Sequence, residues 1–313
     1  MRGKDISVVI CTRDRPEMLR VCLRSLAKSA EHPAEVVVVD QSADGMTGQV
    51  VQDFSVAFPI RYLKLESAGI AIARNAGAKA SQAKIVAFTD DDCIADPEWV
   101  GALAREFDQP DTSCVCGHTY PANHTDRPRE AYIATLNHRL HDRVEGKRNP
   151  VMIGRGNNMA FRREFLLKLG GFNEGIGVGT RLFAGDDLDV FYRLLQAGGT
   201  IAHTPDAVVL HAQPDDWREV VKKKRGYAIS AAAILASRAR DGDMYAGLLL
   251  IGKMMYEFGY LLCGGIIRFN RRLAAVGWHS FMGTLSGLKY ARNPAFTSEL
   301  RELYRQARNS SNR

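Results

Sequence analysis

The chain has 313 residues, 46% of them hydrophobic and 25% charged, the proportions of an ordinary folded protein. Its formal charge of +7 admits an anionic partner, whether nucleic acid, an acidic membrane surface or a nucleotide diphosphate, without choosing among them. The six cysteines form no CxxC pair and no His/Cys cluster at zinc-finger spacing, which excludes a zinc-finger module and leaves structural thiols in a reducing compartment.

In chain order, Ile6 to Cys11 is a short β-branched run. It is followed by Thr12-Arg13-Asp14-Arg15 and by Pro16, which suits the first position of a helix carrying Met18, Leu19, Cys22, Leu23 and Leu26. Glu35 to Val39 is a second strand ending at Asp40; a helix to about Phe54 and a third strand, Ile60 to Leu65, come next. Residues 69–82 read as an alanine-rich helix and Lys84 to Phe88 as a fourth strand, running into Asp90-Asp91-Asp92. Such apolar strands separated by helices indicate a mostly parallel, Rossmann-like sheet covered on both faces, with ligands beyond the carboxyl ends of the strands. Residues 110–150 are polar and weakly periodic and are expected to be loop and helix, whereas Ala207 to Leu210 is a strand ending at His211. After Pro214 the pattern is helical. No basic-then-apolar signal segment opens the sequence, so a cytoplasmic protein is expected.

Chemistry gathers at three places. Alternation along an extended chain points Asp90 and Asp92 the same way, a pair suited to a hard divalent cation such as Mg²⁺ or Mn²⁺. Asp186 and Asp187 stand where a helix should begin, and either cap it or provide a general base; Asp189 and Arg193 have the spacing of an ion pair along it. His211 at a strand end is either structural or one more ligand for a metal site begun by Asp92. Gly156-Asn157-Asn158 is either a structural turn or a contact to donor sugar or acceptor.

These motifs, in order, resemble family 2 glycosyltransferases. The resemblance runs over Val8 to Arg15, Val37 to Asp40, Gly69 to Gly77 and Thr89 to Asp92. In the second half it continues over Gly156 to Arg162, Gly170 to Glu174, Gly185 to Asp189 and Val208 to His211, and covers about residues 5–215. It implies a GT-A fold, a UDP- or dTDP-sugar donor, a divalent metal and inversion at the anomeric carbon. By position it places Thr12, Arg13, Asp40, Arg74, Asp90 and Asp91 around the donor nucleotide, and Asp92 and His211 on the metal. Asp187 would be the base, with Asp186 beside it where the family commonly has Glu. The Gln-x-x-Arg-Trp signature of processive synthases does not follow His211, which favours single addition.

A dinucleotide-dependent oxidoreductase is excluded because the turn after the first strand holds no glycine. Nucleic-acid binding is not expected: the Lys222–Arg225 run is short and no recognised module surrounds it. The alternative to an enzyme is a non-catalytic nucleotide-sugar-binding or scaffold protein of the same fold. The expected organisation is a catalytic domain over 1–215 and a helical extension over 216–313. Within the extension, Ala246 to Ile267 is apolar but interrupted by Lys253 and Glu257, spaced as a helix-surface ion pair. Together with Arg268, Arg271, Arg272, Trp278 and Lys289 it fits peripheral contact through 246–290 with the inner face of the cytoplasmic membrane better than a spanning helix. A lipid-linked acceptor of cell-surface polysaccharide synthesis would suit that placement.

Overall fold

Strand β1 (Ile6–Thr12) and strand β2 (Glu35–Asp40) are buried along their whole length, which is why both read as unbroken apolar runs. Val8, Ile10, Val36 and Val38 face a layer formed by helix α1 (Pro16–Leu26), helix α2 (Met46–Phe54) and helix α4 (Trp99–Glu106). Val9, Cys11, Val37 and Val39 face helix α3 (Ile70–Ala80), helix α5 (Arg163–Lys168) and helix α6 (Asp186–Gln196). Each fully buried valine removes enough apolar surface from water to stabilise the fold by about 1.5–3 kcal/mol before entropy is counted. The computed structural model describes residues 1–124, 126–127, 132–136, 140–146, 153–298 and 300–302.

The remaining strands are β3 (Ile60–Lys64), β4 (Ile85–Asp90), β5 (Cys93–Ala95), β6 (Thr112–Pro121), β7 (Asp142–Val144), β8 (Asn158–Arg162) and β9 (Thr200–His211). Sheet order is β3-β2-β1-β4-β8-β6-β9-β5, with β7 also on β9. The parallel sheet expected from the sequence holds from β3 to β4. Beyond β4 the sheet is mixed: β8 runs antiparallel to both β4 and β6, β6 is parallel to β9, and β5 and β7 run against β9. Residues 110–150 thus correct the expectation of loop and helix. Their first part is the ten-residue strand β6, in the middle of the sheet. Its polar residues hide it from hydrophobic patterning, yet Thr112, His118 and Thr119 are all buried. Parts of 125–152 lie outside the described residues.

Past Pro214 the chain forms α7 (Trp217–Arg240), α8 (Met244–Met255), a wide π-helical stretch (Tyr256–Cys263), α9 (Gly264–Ile267) and α10 (Arg271–Tyr290). These helices join the catalytic half through apolar clusters. Ala233, Ile234 and Leu300 pack with Ile176, Leu182 and Leu188, and Leu235 and Ala246 pack with Tyr192. The boundary expected at 215 is therefore a change from sheet to helices and not a break in packing. The Lys253–Glu257 pair forms but is not on the surface: Glu257 is buried and also accepts a hydrogen bond from Thr284 Oγ1 of α10 (2.6 Å).

Candidate active site

β1, β2 and β4 end along one edge, with Thr12 opposite Asp40 and Cys11 opposite Asp90. From Asp90 the chain passes through Asp91 and Asp92 into β5, whose first residue, Cys93, pairs with His211 at the end of β9. That register brings His211 beside the acidic triplet: His211 Nε2 lies 3.5 Å from Asp92 Oδ1, and the Ala212 N–H donates to the Asp92 carbonyl (3.0 Å). One ligand atom from each of Asp90, Asp92 and His211 lies within 4.8 Å of the others, the spacing of a metal site. Gln213 holds the other ring nitrogen of His211 at 3.0 Å, and its own side chain is fixed by the backbone of Ile133. An outer partner of this kind sets which way a ligating imidazole faces.

Two carboxylates and an imidazole at this spacing form a potential divalent-metal site. Burial, then the charge of Asp92, pushes Asp91 up to about 7 against the opposing pull of Arg15 and Thr12. Asp92 is raised too, first by burial and then by Asp90, although His211, Arg15 and Lys223 act the other way.

Asp91 is buried, and Thr12 Oγ1 donates to it at 2.8 Å and Arg15 Nη1 at 3.3 Å, the same nitrogen lying 3.5 Å from Asp92 Oδ2. Thr12 is thereby occupied as well, while Arg13 is exposed at the rim beside Asp14. Asp40 is fully buried and accepts from Tyr62 Oη (2.6 Å), Lys64 Nζ (2.9 Å) and the Ser42 N–H (2.8 Å). Burial opposes its charge, but those donors hold its carboxyl below the usual carboxylate range.

Arg74 of α3 does more than line a pocket. Its guanidinium is buried and reaches Asp90 Oδ1 (3.0 Å), the Gly156 carbonyl (2.9 Å) and, through Nη1, the Asp186 carboxylate. It ties the acidic triplet to the start of α6. Asp186 is thus occupied; burial first, then Asp187, raises it to about 6 against the pull of Arg74. Asp187 is half-buried, and Gly156 N–H donates to its Oδ2 at 2.9 Å. Leu188 N–H donates to its Oδ1 at 2.7 Å, so backbone groups hold both oxygens.

Gly156 lies between Arg74 and Asp187, but the two asparagines after it belong to the core, contrary to the sugar or acceptor contact expected of them. Asn158 accepts from Trp99 Nε1 (2.8 Å) and donates to the carbonyls of His118 and Ala207 (both 2.8 Å). Asn157 accepts from Thr119 Oγ1 (3.2 Å) and donates to the Ala134 carbonyl (3.1 Å). Both sides of a central strand are covered, so side chains at its start have only internal partners to find.

Arg15, Gln213, Lys223 and Tyr227 are site residues that sequence reasoning does not single out. Tyr227 on α7 lies close enough to Asp187, Asp90 and Asp92 that their charges, after burial, push its hydroxyl up. Lys223, one turn earlier on α7, lowers Asp92. The available signal is the spacing of Lys223 and Tyr227, four residues apart on one helix face, inside a run that otherwise reads as a solvated basic patch.

The profile described as glycosyl transferase family 2 matches residues 7–170. Glucosyl-dolichyl phosphate glucuronosyltransferase of Haloferax volcanii is 25% identical over 253 residues, 75% of this chain and 80% of its own length. Pre-mycofactocin glycosyltransferase of Mycobacterium tuberculosis is 27% identical over 260 residues, 80% of this chain, which spans about half (51%) of that relative. Among solved structures, a mannosyltransferase of Pyrobaculum calidifontis in complex with GDP-Man and Mn²⁺ superposes with a TM-score of 0.66 at 18% identity, over 94% of this chain and 89% of its own. TarS 1–349 of S. aureus in complex with UDP-GlcNAc gives 0.58 at 18% identity, over 97% and 90%.

Proposed function

Because the chain belongs to glycosyl transferase family 2 and has the GT-A fold of a glycosyltransferase, we propose that it is a metal-dependent, inverting enzyme that moves a sugar from a UDP- or dTDP-sugar to an acceptor hydroxyl. The observation that carries this reading is the convergence of Asp90, Asp92 and His211, which come from distant parts of the sequence, with Asp187 joined to them through Gly156 and Arg74. Asp92 and His211, with Asp90, would hold Mn²⁺ or Mg²⁺, which supplies positive charge against the departing nucleotide diphosphate. The solved relative containing Mn²⁺ supports that choice of ion.

The nucleotide would lie along the ends of β1, β2 and β4, between Arg13 at the rim and the Asp40–Tyr62–Lys64 cluster. Arg15 is placed to exchange its partners, Asp91 and Asp92, for diphosphate oxygens. Asp187 takes the acceptor proton as the hydroxyl oxygen attacks the anomeric carbon and the bond to the diphosphate breaks. Gly156 N–H at Oδ2 and Leu188 N–H at Oδ1 fix the orientation of that carboxylate. Tyr227 and Lys223 of α7 lie within electrostatic reach of these carboxylates. A lipid-linked acceptor at the cytoplasmic face of the membrane is supported by the dolichyl phosphate in the name of the archaeal relative and by the apolar helix over Met244–Ile267.

The test is release of nucleotide diphosphate from a panel of UDP-, dTDP- and GDP-sugars, with and without Mn²⁺ or Mg²⁺, by the wild type and by Asp92→Ala. Slow metal-dependent release from one donor, lost in the variant, is the expected result. Neither turnover nor metal-dependent nucleotide binding with any donor would overturn the proposal in favour of a non-catalytic protein of the same fold.

A further inference from the structure

The turn between α9 and α10 breaks a local rule in plain view. Phe269 has φ of +53°, the left-handed region that glycine enters without strain and an aromatic residue enters at a cost. The surrounding geometry is a Schellman turn: Asn270 N–H donates to the Gly265 carbonyl (2.8 Å) and Phe269 N–H to the Ile266 carbonyl (3.0 Å). Glycine is the residue such a turn selects. Phe269 does not offset the strain by packing inward, for it is 92% exposed, and Ile267 beside it is 76% exposed.

The turn is also held rigidly. Asn270 Oδ1 accepts from Leu273 N–H (3.0 Å) to cap α10. A Cβ on Gly265 would fall 2.5 Å from Ala274 N, and one on Gly277 would fall 2.3 Å from Leu262 N, so the two arms lie backbone to backbone. Ile266, Ile267 and Phe269 therefore project as a fixed apolar wedge.

Charge around the wedge has one sign. From Phe258 to Ser298 there is no Asp or Glu, while Arg268, Arg271, Arg272, Lys289 and Arg292 fall within that stretch. Arg268, Arg271 and Arg272 are exposed at the turn, with the Arg268 guanidinium over the ring of Tyr260 (5.1 Å). Further along the same hairpin, Leu248, Ile251, Met255 and Phe258 are exposed, whereas the acidic residue of this helix, Glu257, is turned inward on Lys253 and Thr284. A rigid apolar tip flanked by arginines, in a stretch of sequence without Asp or Glu, matches an anionic lipid surface: side chains enter the acyl boundary and guanidinium groups meet the headgroups.

We propose that the α9–α10 turn is a membrane anchor in which Ile266, Ile267 and Phe269 insert into an anionic bilayer while Arg268, Arg271 and Arg272 bind its headgroup phosphates. This deepens the proposed placement of the enzyme at a membrane and rests on that placement, but it is tested without turnover, so its failure leaves the catalytic reading untouched.

The decisive variant is Phe269→Gly, because it removes the inserted ring and relieves the left-handed strain together. Full-length wild type, Phe269→Gly and Arg271→Glu/Arg272→Glu are floated with vesicles of phosphatidylcholine alone or with about one-third phosphatidylglycerol, at low and high salt. Wild type is expected on the anionic vesicles, released by salt. Phe269→Gly should lose about tenfold or more in partitioning, as expected for one buried aromatic ring, with an equal or higher melting temperature. The double charge reversal should lose binding to anionic vesicles most strongly. Equal binding of wild type to both vesicle types, no binding to either, or wild-type binding by Phe269→Gly would each overturn the anchor. A wild-type dimer that Phe269→Gly dissociates, without vesicle binding, would assign the wedge to a second copy of the chain and overturn it too.

Discussion

Asp186 and Asp187 are adjacent and chemically identical, and their neighbours give them different work. Arg74 engages Asp186, whereas Asp187 accepts from two backbone N–H groups, Gly156 at Oδ2 and Leu188 at Oδ1. Asp187→Asn is expected to lower sugar transfer about 10²–10⁴-fold, the range for a lost general base, with nucleotide-diphosphate affinity unchanged by calorimetry. Asp40 allows a pH test. Its folded carboxyl titrates below the ordinary value of 3.8, so the folded state favours the anion. That contribution is fully present above about pH 4 and is lost as pH falls through the lower folded value. Asp40→Asn should cost about 1–3 kcal/mol in urea melts at neutral pH, as for hydrogen bonds to a charged group. The gap to wild type should then close as the pH is lowered below about 4; a gap of constant size would show that the charge contributes nothing.

At the scale of elements, α6 carries Asp187, the proposed base, and its position depends on two features. Gly185 precedes the helix with φ of +95°, and a Cβ there would lie 3.0 Å from Ile234 Cδ1. Gly185→Ala is expected to destabilise by about 1–2 kcal/mol and to reduce kcat by displacing Asp187, both measurable on one purified variant. Asp189 and Arg193 form the ion pair that their spacing predicts, but in a setting the spacing does not describe. Both side chains are fully buried, and Arg193 also donates to the carbonyls of Leu169 (2.9 Å) and Gly171 (2.6 Å), locking α6 to the turn after α5. Asp189→Ala leaves a buried guanidinium without its carboxylate partner and should cost about 3–5 kcal/mol, seen as a lowered melting temperature.

Across the whole molecule, the C-terminal helices complete the enzyme as well as extend it. α7 brings Lys223 and Tyr227 within electrostatic reach of the carboxylates, and α10 lies along α7 and receives the Glu257 carboxylate through Thr284. Removing residues 246–313 would uncover Leu235 and Tyr192, which pack with Ala246, and the Ile234–Leu300 contact. Such a truncation is expected to lower the melting temperature and to impair donor turnover even in detergent-free solution. For that reason membrane attachment is better tested at Phe269 than by truncation.

The sequence by itself determined the parallel half of the sheet, its helices and the order of the acidic motifs. In Ile6–Thr12 and Glu35–Asp40 every side chain is buried, and a buried strand between two helical layers must be written in apolar residues. Asp90 and Asp92 do meet, but across the turn that Asp91 and Asp92 form between β4 and β5, not by alternation along an extended strand. Tertiary structure decided the rest. The β5–β9 register brings His211 to Asp92, and no local pattern encodes a pairing between residues so far apart. β6 is a central strand despite its polar residues, because neighbouring strands satisfy groups that the sequence shows only as hydrophilic. Asn157 and Asn158 carry the residue types of a ligand site and are turned into the protein instead. Residue type fixes what a side chain can bond to, and only packing fixes which partner it meets.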